Sequence, residues 1–295
     1  MIVVFGASGN TGKRIAEALL AAGKQVRAVS RNPQNLISLI EAGTEAAIGD
    51  VEDAAFVQEA LQGMEAAYLL FPPNKAVVDW NAYLQLVADN YVAALTATKV
   101  PKVVLLSSQG AQIPNAGPIS AYGNLERALQ KIDGLHSLAL RPGYFMENLF
   151  AMLGMIKNAN MMGGGIEADV AMPMVATQDI AAVAAQRLIT LGFTGHTVEF
   201  IAGAADYTMR QVATILGEAI GKPELSYTTF AMPDAKAGMM RAGLSDTIAS
   251  GYVALFEALN SGQYAEGFIR TPENTTSTTL AQFATEVLAP AYSDI

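Results

Sequence analysis

The first thirteen residues constrain this chain more than any other stretch. An apolar run, Met1-Ile2-Val3-Val4-Phe5, meets the turn Gly6-Ala7-Ser8-Gly9-Asn10-Thr11-Gly12, and an amphipathic segment from Lys13 to Leu20 follows at once. Strand, glycine turn and helix in that order are the context a dinucleotide-binding fingerprint requires. Gly6 allows the tight turn. Gly9 has no Cβ, so a pyrophosphate can come close to the backbone, and Gly12 lets the helix pack tightly on the sheet. The helix N-terminus offers free N–H groups and a positive dipole end to phosphates, which makes Ser8, Asn10 and Thr11 candidates beside the three glycines. The alternative is a glycine-rich connector with no ligand; the flanking strand and helix favour the nucleotide.

Composition narrows the remaining classes. With 295 residues, 52% of them hydrophobic, the chain can bury a large core. No cysteine is present, which excludes disulfides, thiolate metal sites and cysteine nucleophiles. The two histidines, His136 and His196, flank apparent strands and read as structural. A net charge of −9 disfavours a nucleic-acid partner. No apolar run is long enough to span a membrane, and no basic segment or cleavage signal opens the chain, so the expected location is the cytoplasm. The oligomeric state is left open.

Residues 1–140 alternate strands and helices. Strands are expected at Ile2–Phe5, Gln25–Val29, Glu45–Ile48, Ala66–Leu70, Lys102–Leu106 and Ser137–Leu140, with helices at Asn35–Glu41, Ala54–Leu61 and Val77–Thr98 among them. That pattern implies parallel βαβ units with right-handed crossovers. The fold class is therefore α/β: a Rossmann-type doubly wound parallel sheet with a smaller, mostly helical C-terminal lobe. We divide it into a nucleotide-binding core, 1–145, and a substrate lobe, 146–295, with elements returning to the core. In the lobe, helices are expected at Phe150–Asn158, Thr177–Leu191, Thr208–Ile220, Asp246–Asn260 and Leu280–Leu288, and strands at Thr197–Ile201 and Glu224–Tyr227. Ten of the 13 methionines fall between Met146 and Met174 or between Met232 and Met240. Such clustering suits an adaptable apolar pocket for a flat substrate, although each methionine taken singly fits ordinary core filling.

Ligands of open α/β sheets sit beyond the strand C-termini. Strand two ends in Ser30-Arg31, where a cofactor with a free ribose 2′-hydroxyl usually meets an acid. The guanidinium fork can hold a 2′-phosphate, which favours NADP(H) over NAD(H). Strand three ends in Asp50-Val51: Asp50 can accept from the adenine amino group or cap the next helix, and Val51 can pack on the ring. Strand four ends in Phe71-Pro72-Pro73, a stiff loop expected to run past the adenosine. Strand five ends in Ser107-Ser108, near the expected nicotinamide ribose, where either hydroxyl could donate to a substrate carbonyl.

These residues, with the segment Leu140-Arg141-Pro142-Gly143-Tyr144-Phe145-Met146-Glu147-Asn148 and the later Gly195–Gly203 and Thr278–Ala284, resemble the NmrA-like family of atypical short-chain dehydrogenase/reductases across nearly the whole chain. The resemblance implies a Rossmann core, a small C-terminal lobe and bound NADP(H), with Tyr144 added to the cofactor candidates. Its members divide into NADPH-dependent reductases, quinone reductases included, and catalytically silent sensors of the NADP(H) state. The sequence departs from the short-chain dehydrogenase Tyr-x-x-x-Lys pair, in which lysine lowers the tyrosine pKa. Here Tyr122-Gly123-Asn124-Leu125-Glu126 puts glutamate in the lysine place, and the family pattern ahead of Glu126 would put its lysine at Tyr122 itself. Tyr122 and Ser107 stand as catalytic candidates. The expected reaction is hydride transfer from NADPH to a quinone or another apolar carbonyl or enone acceptor, with water able to protonate the weakly basic product. The alternative is a sensor whose loops near Pro114–Ala121 and Gly163–Gly165 respond to the nucleotide. No metal is expected.

Overall fold

The structure is a computed structural model that describes residues 1–74 and 76–295. Strands β1 (Ile2–Val4), β2 (Val26–Ser30), β3 (Glu45–Ile48), β4 (Ala66–Leu69), β5 (Lys102–Leu106) and β6 (His136–Pro142) alternate with helices α1 (Asn10–Ala21), α2 (Ile37–Glu41), α3 (Ala54–Leu61), α4 (Trp80–Thr98) and α5 (Pro118–Leu129). Beyond them lie β7 (Tyr144–Phe145), α6 (Leu153–Ala159), β8 (Met162–Gly164), β9 (Met172–Val175), α7 (Thr177–Thr190), β10 (His196–Ile201), β11 (Asp206–Tyr207), α8 (Met209–Ala219), β12 (Tyr227–Thr229), α9 (Met232–Arg241) and α10 (Asp246–Asn260).

The central sheet has seven strands in the order β10-β6-β5-β4-β1-β2-β3, every pair parallel. Strand order reverses between β1 and β4, so the crevice for a ligand opens beyond the C-termini of those two strands. The period of two along each strand divides the core into two layers. Val3, Phe5, Ala67, Leu69, Val103 and Leu105 pack on one face, against α3, α4 and α5. Ile2, Val4, Ala28, Tyr68, Val104 and Leu138 pack on the other, against α1 and α7. A third cluster, centred on Met146, Met162, Met174, Met209, Leu216 and Phe283, holds the C-terminal region together.

Several expectations shift. The α4 helix begins at Trp80 rather than Val77, because the Asp79 carboxylate caps it by accepting from the Ala82 N–H at 3.0 Å. The 150–158 helix becomes a 3₁₀ stretch, Met146–Met152, running into α6. The strand expected at Glu224–Tyr227 forms at Tyr227–Thr229, where it pairs with β8. Gly163 and Gly164 are therefore strand residues and not a free loop; a Cβ on Gly163 would lie 2.3 Å from the Phe230 ring. The Pro114–Ala121 segment likewise includes the first turn of α5. Four of the ten clustered methionines are core filling, Met146, Met162, Met172 and Met174; the other six, Met152, Met155, Met161, Met232, Met239 and Met240, retain exposure. Both histidines serve the sheet edge, with His196 Nδ1 2.9 Å from Ser137 Oγ and His136 Nδ1 accepting from the Gly195 N–H at 2.8 Å. No helix among the described residues is long and apolar enough to cross a membrane.

Candidate nucleotide and acceptor site

The glycine loop closes on itself at the end of β1. Gly6 has φ +65°, a left-handed conformation that favours glycine, and the Gly9 N–H donates to the Gly6 carbonyl at 2.9 Å. A Cβ on Gly12 would lie 2.2 Å from that same carbonyl, so glycine is required for the helix to sit this close to the strand. Gly9 differs. Its backbone is extended, and a Cβ there would meet only the Gly6 carbonyl, at 3.3 Å. Gly9 is thus far less crowded by protein than Gly12, which leaves its backbone approachable by a diphosphate. Gly9 is the N-cap of α1 and carries no side-chain cap, so the first-turn amides of Asn10, Thr11 and Gly12 keep their donors free for an anion. The Thr11 hydroxyl is not part of this face: the residue is buried and accepts from Tyr68 Oη at 3.1 Å.

The strand ends line the rest of the crevice. Ser30 Oγ lies 3.2 Å from Ser8 Oγ and accepts from the Asn32 N–H at 3.2 Å, which ties the end of β2 to the glycine loop. The exposed Arg31 guanidinium meets no acceptor among the described residues and stands beside the loop as a free fork. The Asp50 carboxylate accepts from the Glu52 N–H at 3.1 Å, while the helix cap is Asp53, accepting from Ala55 and Phe56 at 2.9 and 3.2 Å. The capping alternative for Asp50 is thereby corrected. Val51 is 5% exposed, with its side chain in the core beneath α3 and α4, and its carbonyl accepts from buried Asn90 at 2.8 Å. Contact with an adenine would therefore fall to its backbone rather than its side chain.

Tyrosines from α4 fix the loop after β4 from below. Tyr83 donates to the Pro72 carbonyl at 2.6 Å and Tyr91 to the Leu70 carbonyl at 3.0 Å. Burial holds the Tyr83 phenol well above its ordinary pKa; nearby Asp50 and Glu52 add to this and Arg31 opposes it, so these groups share one rim with Pro72. Pro73 is exposed, and Phe71 is buried, its ring edge-on to Tyr122 at 4.9 Å and 77°.

Beyond β5 the structure shows what the missing lysine left behind. Glu126, 7% exposed, accepts from Ser107 Oγ at 2.5 Å and from Arg141 Nε and Nη2 at 3.0 and 2.6 Å. Arg141 also donates to Gln112 Oε1 at 3.1 Å and lies over the Phe200 ring at 5.9 Å. A hydroxyl has one proton, and that of Ser107 is committed to Glu126. Toward a ligand Ser107 offers lone pairs, which corrects the expectation that it donates to a substrate carbonyl. Ser108 donates to the Gln109 carbonyl at 2.9 Å. The Gln109 side-chain amide is buried without an acceptor, an orphan donor at the end of β5 that a ligand oxygen could satisfy. Backbone pairing continues past the strand ends, Ser107 to Leu140 and Gln109 to Pro142, so this polar patch is held rigidly against β6.

Tyr122 on α5 is half-buried with no hydrogen-bond partner for its hydroxyl among the described residues. Burial, reinforced by Tyr252, pushes its pKa up to about 12, the reverse of the depression a lysine would cause. Tyr144 is also raised by burial, with smaller contributions from Tyr227, Tyr252 and Tyr264. Its neighbour Glu147 turns away from the crevice. The carboxylate accepts from the Thr177 hydroxyl and N–H, at 2.5 and 3.0 Å, and caps α7, so it serves the fold. Burial raises its pKa, opposed by these hydrogen bonds. Two functional features escaped the sequence reading: the Glu126–Arg141 pair, and Tyr252 of α10 beside Tyr122. Among the described residues no cluster of histidine and carboxylates could hold a metal.

A bare glycine cradle, unpaired helix amides and a free arginine fork beside Ser30 fit a dinucleotide. Comparison with known proteins agrees. A family model described as NAD(P)H-binding matches residues 6–189. The chain is 25% identical to an NAD(P)H azoreductase of Xenophilus azovorans over 292 residues, 96% of each chain, and 27% identical to quinone oxidoreductase 2 of Escherichia coli over 252 residues, 84% of each. Among solved structures, the NADPH-dependent quinone oxidoreductase of Escherichia coli in complex with NADPH superposes with a TM-score of 0.76 at 24% identity, covering 98% of this chain and 100% of that one. A Citrobacter sp. triphenylmethane reductase in complex with NADP(H) gives 0.77 at 20%, with the same coverage. The fold is that of these reductases, and the chain belongs to the NAD(P)H-binding family, the identity implied by its resemblance to NmrA-like short-chain dehydrogenase/reductases.

Proposed function

We propose that this protein is an NADPH-preferring oxidoreductase that reduces quinones or related flat, apolar acceptors. The observation that carries the reading is the rim at the end of β2. Ser30 bonds across to Ser8 of the glycine loop, and among the described residues Arg31 has no acceptor and no acid follows β2 where a ribose diol would be held. The azoreductase and quinone oxidoreductase names of the two relatives point to the same reaction class.

The bound nicotinamide supplies the hydride. The chain supplies position. The amides of Asn10, Thr11 and Gly12 hold the diphosphate, and Gly6, Ser8 and Gly9 shape the loop around it. Ser30 and Arg31 take the 2′-phosphate. Asp50, Val51, Phe71, Pro72 and Pro73 border the adenosine, and Ser107 and Tyr144 border the nicotinamide end. Tyr122 keeps its proton throughout the neutral range and acts as a hydrogen-bond donor to the acceptor oxygen, not as a base. A quinone suits such a site, since its reduced oxygen needs no strong acid and orientation contributes most of the rate.

The sensor reading loses one of its switch segments, because Gly163 and Gly164 are locked in β8. Steady-state oxidation of NADPH by the purified protein against quinones, azo dyes, aldehydes and enones tests the proposal. Turnover with quinones or azo dyes is expected; tight NADPH binding without turnover of any acceptor would overturn it in favour of the sensor.

A further inference from the structure

On α10, Tyr252 and Phe256 stand one helical turn apart on one face, ring centroids 6.2 Å apart and planes 32° apart. Trp80, the first residue of α4, continues the row, 5.5 Å from Tyr252 at 37°. Aromatic pairs of the Rossmann core behave differently: Phe5–Tyr91 and Phe71–Tyr122 meet edge-on, at 80° and 77°. Edge-on packing sets the edge of one ring against the face of another, whereas these three rings follow one another at low tilt in a continuous row. All three are half-buried. Trp80 leans on the Rossmann core, Phe256 on the C-terminal core, and Tyr252 spans the gap between them.

The row is built into the backbone. A Cβ on Gly251 would lie 3.2 Å from two indole carbons of Trp80, so the indole rests on the bare helix. A Cβ on Gly117 would lie 2.1 Å from the Gly251 carbonyl, so α10 is pressed against the start of α5, the helix that carries Tyr122. The Trp80 N–H donates to Thr247 Oγ1 at 3.1 Å, and that hydroxyl donates to the Val78 carbonyl at 2.8 Å. At the far end, Phe256 and the Met232 thioether close over Gly165, where a Cβ would lie 2.5 and 3.2 Å from them. The row thus runs from the loop after β4 across to β8, alongside Tyr122.

We propose that Trp80, Tyr252 and Phe256 form an aromatic platform on which the acceptor stacks, and that this platform selects acceptors of two or more fused or conjugated rings over single-ring ones. The inference rests on the reductase reading for its substrate and on the ring geometry for its selectivity. One ring is covered by one side chain; only a wider acceptor gains from the second and third.

Trp80 is the only tryptophan in the chain, so its fluorescence reports on the platform directly. The protein loaded with NADP⁺ is titrated with phenanthrenequinone and with 1,4-benzoquinone, free N-acetyltryptophanamide correcting for collisional quenching. Saturable quenching by the three-ring quinone is expected at much lower concentration than by the single ring. Tyr252→Leu and Phe256→Leu should each weaken it about threefold to tenfold, as expected for loss of one stacking partner, and reduce the preference for the wide quinone. Unchanged NADP⁺ affinity and circular dichroism establish that the variants are folded. Quenching that never saturates, or variants that retain the wild-type preference, would overturn the platform. Turnover separates the two claims: saturable quenching without NADPH oxidation refutes the reductase reading and leaves the platform, while turnover with no preference for ring number does the reverse.

Discussion

Glu126 and Arg141 form a buried, two-pronged ion pair, with Arg141 Nε and Nη2 at 3.0 and 2.6 Å from the two carboxylate oxygens. Their side chains are 7% and 14% exposed. The glutamate in the lysine place is therefore a positioning group: it holds Arg141, and it accepts the hydrogen bond of the Ser107 hydroxyl. Breaking such a pair from one side leaves a buried charge without a partner, at a cost of about 3–5 kcal/mol. Glu126→Lys should lower the free energy of unfolding by that amount or more, by setting two cations together, and should not restore Tyr–Lys catalysis. Glu126→Gln, which keeps acceptor and shape, should cost less. Denaturant unfolding of the three proteins checks the ranking; equal stability would show that the pair carries no structural load.

Gly9 and Gly12 make opposite predictions although they belong to one motif. Gly9 has extended backbone and a single close neighbour for a Cβ, the Gly6 carbonyl at 3.3 Å, so Gly9→Val should fold with a small local adjustment and lose nucleotide binding. Gly12→Val should damage the fold itself, because its first carbon would collide with the Gly6 carbonyl. Thermal unfolding with calorimetric NADPH titration distinguishes them. A Gly9→Val protein that is folded and binds NADPH normally would remove the loop as the phosphate site.

The elements that frame the candidate cofactor site, the glycine loop and the strand ends, were legible in the sequence because their signals are local. Glycines, strand ends and their punctuation lie within a few residues of one another, and the sheet repeats them in a fixed order. The Glu126–Arg141 pair is not local: its members lie on α5 and β6, and only the folded register brings them together. Tyr252 is farther still, from a helix that meets α5 through the Gly117–Gly251 contact. Helix α9 begins with a proline in its first turn and has few buried positions, so it carried little apolar periodicity to read. The clustered methionines suggested a pocket, yet Met146, Met162, Met172 and Met174 fill the C-terminal core, since composition does not tell a lining from a filling.

On the proposed assignment of the 2′-phosphate, Arg31 sets the cofactor preference. Replacing it with Asp should weaken NADPH binding by about 1.5–3 kcal/mol, the range for a charged hydrogen bond, and leave NADH nearly unaffected. Calorimetric titration of both cofactors checks this. Equal wild-type affinities would contradict the assignment of the rim to a 2′-phosphate.

Tyr122 should matter modestly. Its pKa of about 12 keeps the phenol protonated through the neutral range, so kcat/KM should show no rise attributable to tyrosinate formation there. Tyr122→Phe should lose less than the factor of about 10²–10⁴ typical of an essential acid or base. A variant with no detectable activity, or a neutral-range inflection that disappears in the variant, would assign Tyr122 the proton transfer that this account denies it.

The most direct test of the central claim is an anaerobic single turnover. Protein carrying one equivalent of NADPH is mixed with one equivalent of a quinone, and the absorbance of both is followed. NADPH and quinone are expected to disappear together, one for one, in a single protein-dependent phase. Bound NADPH that stays reduced while the quinone remains untouched would contradict it.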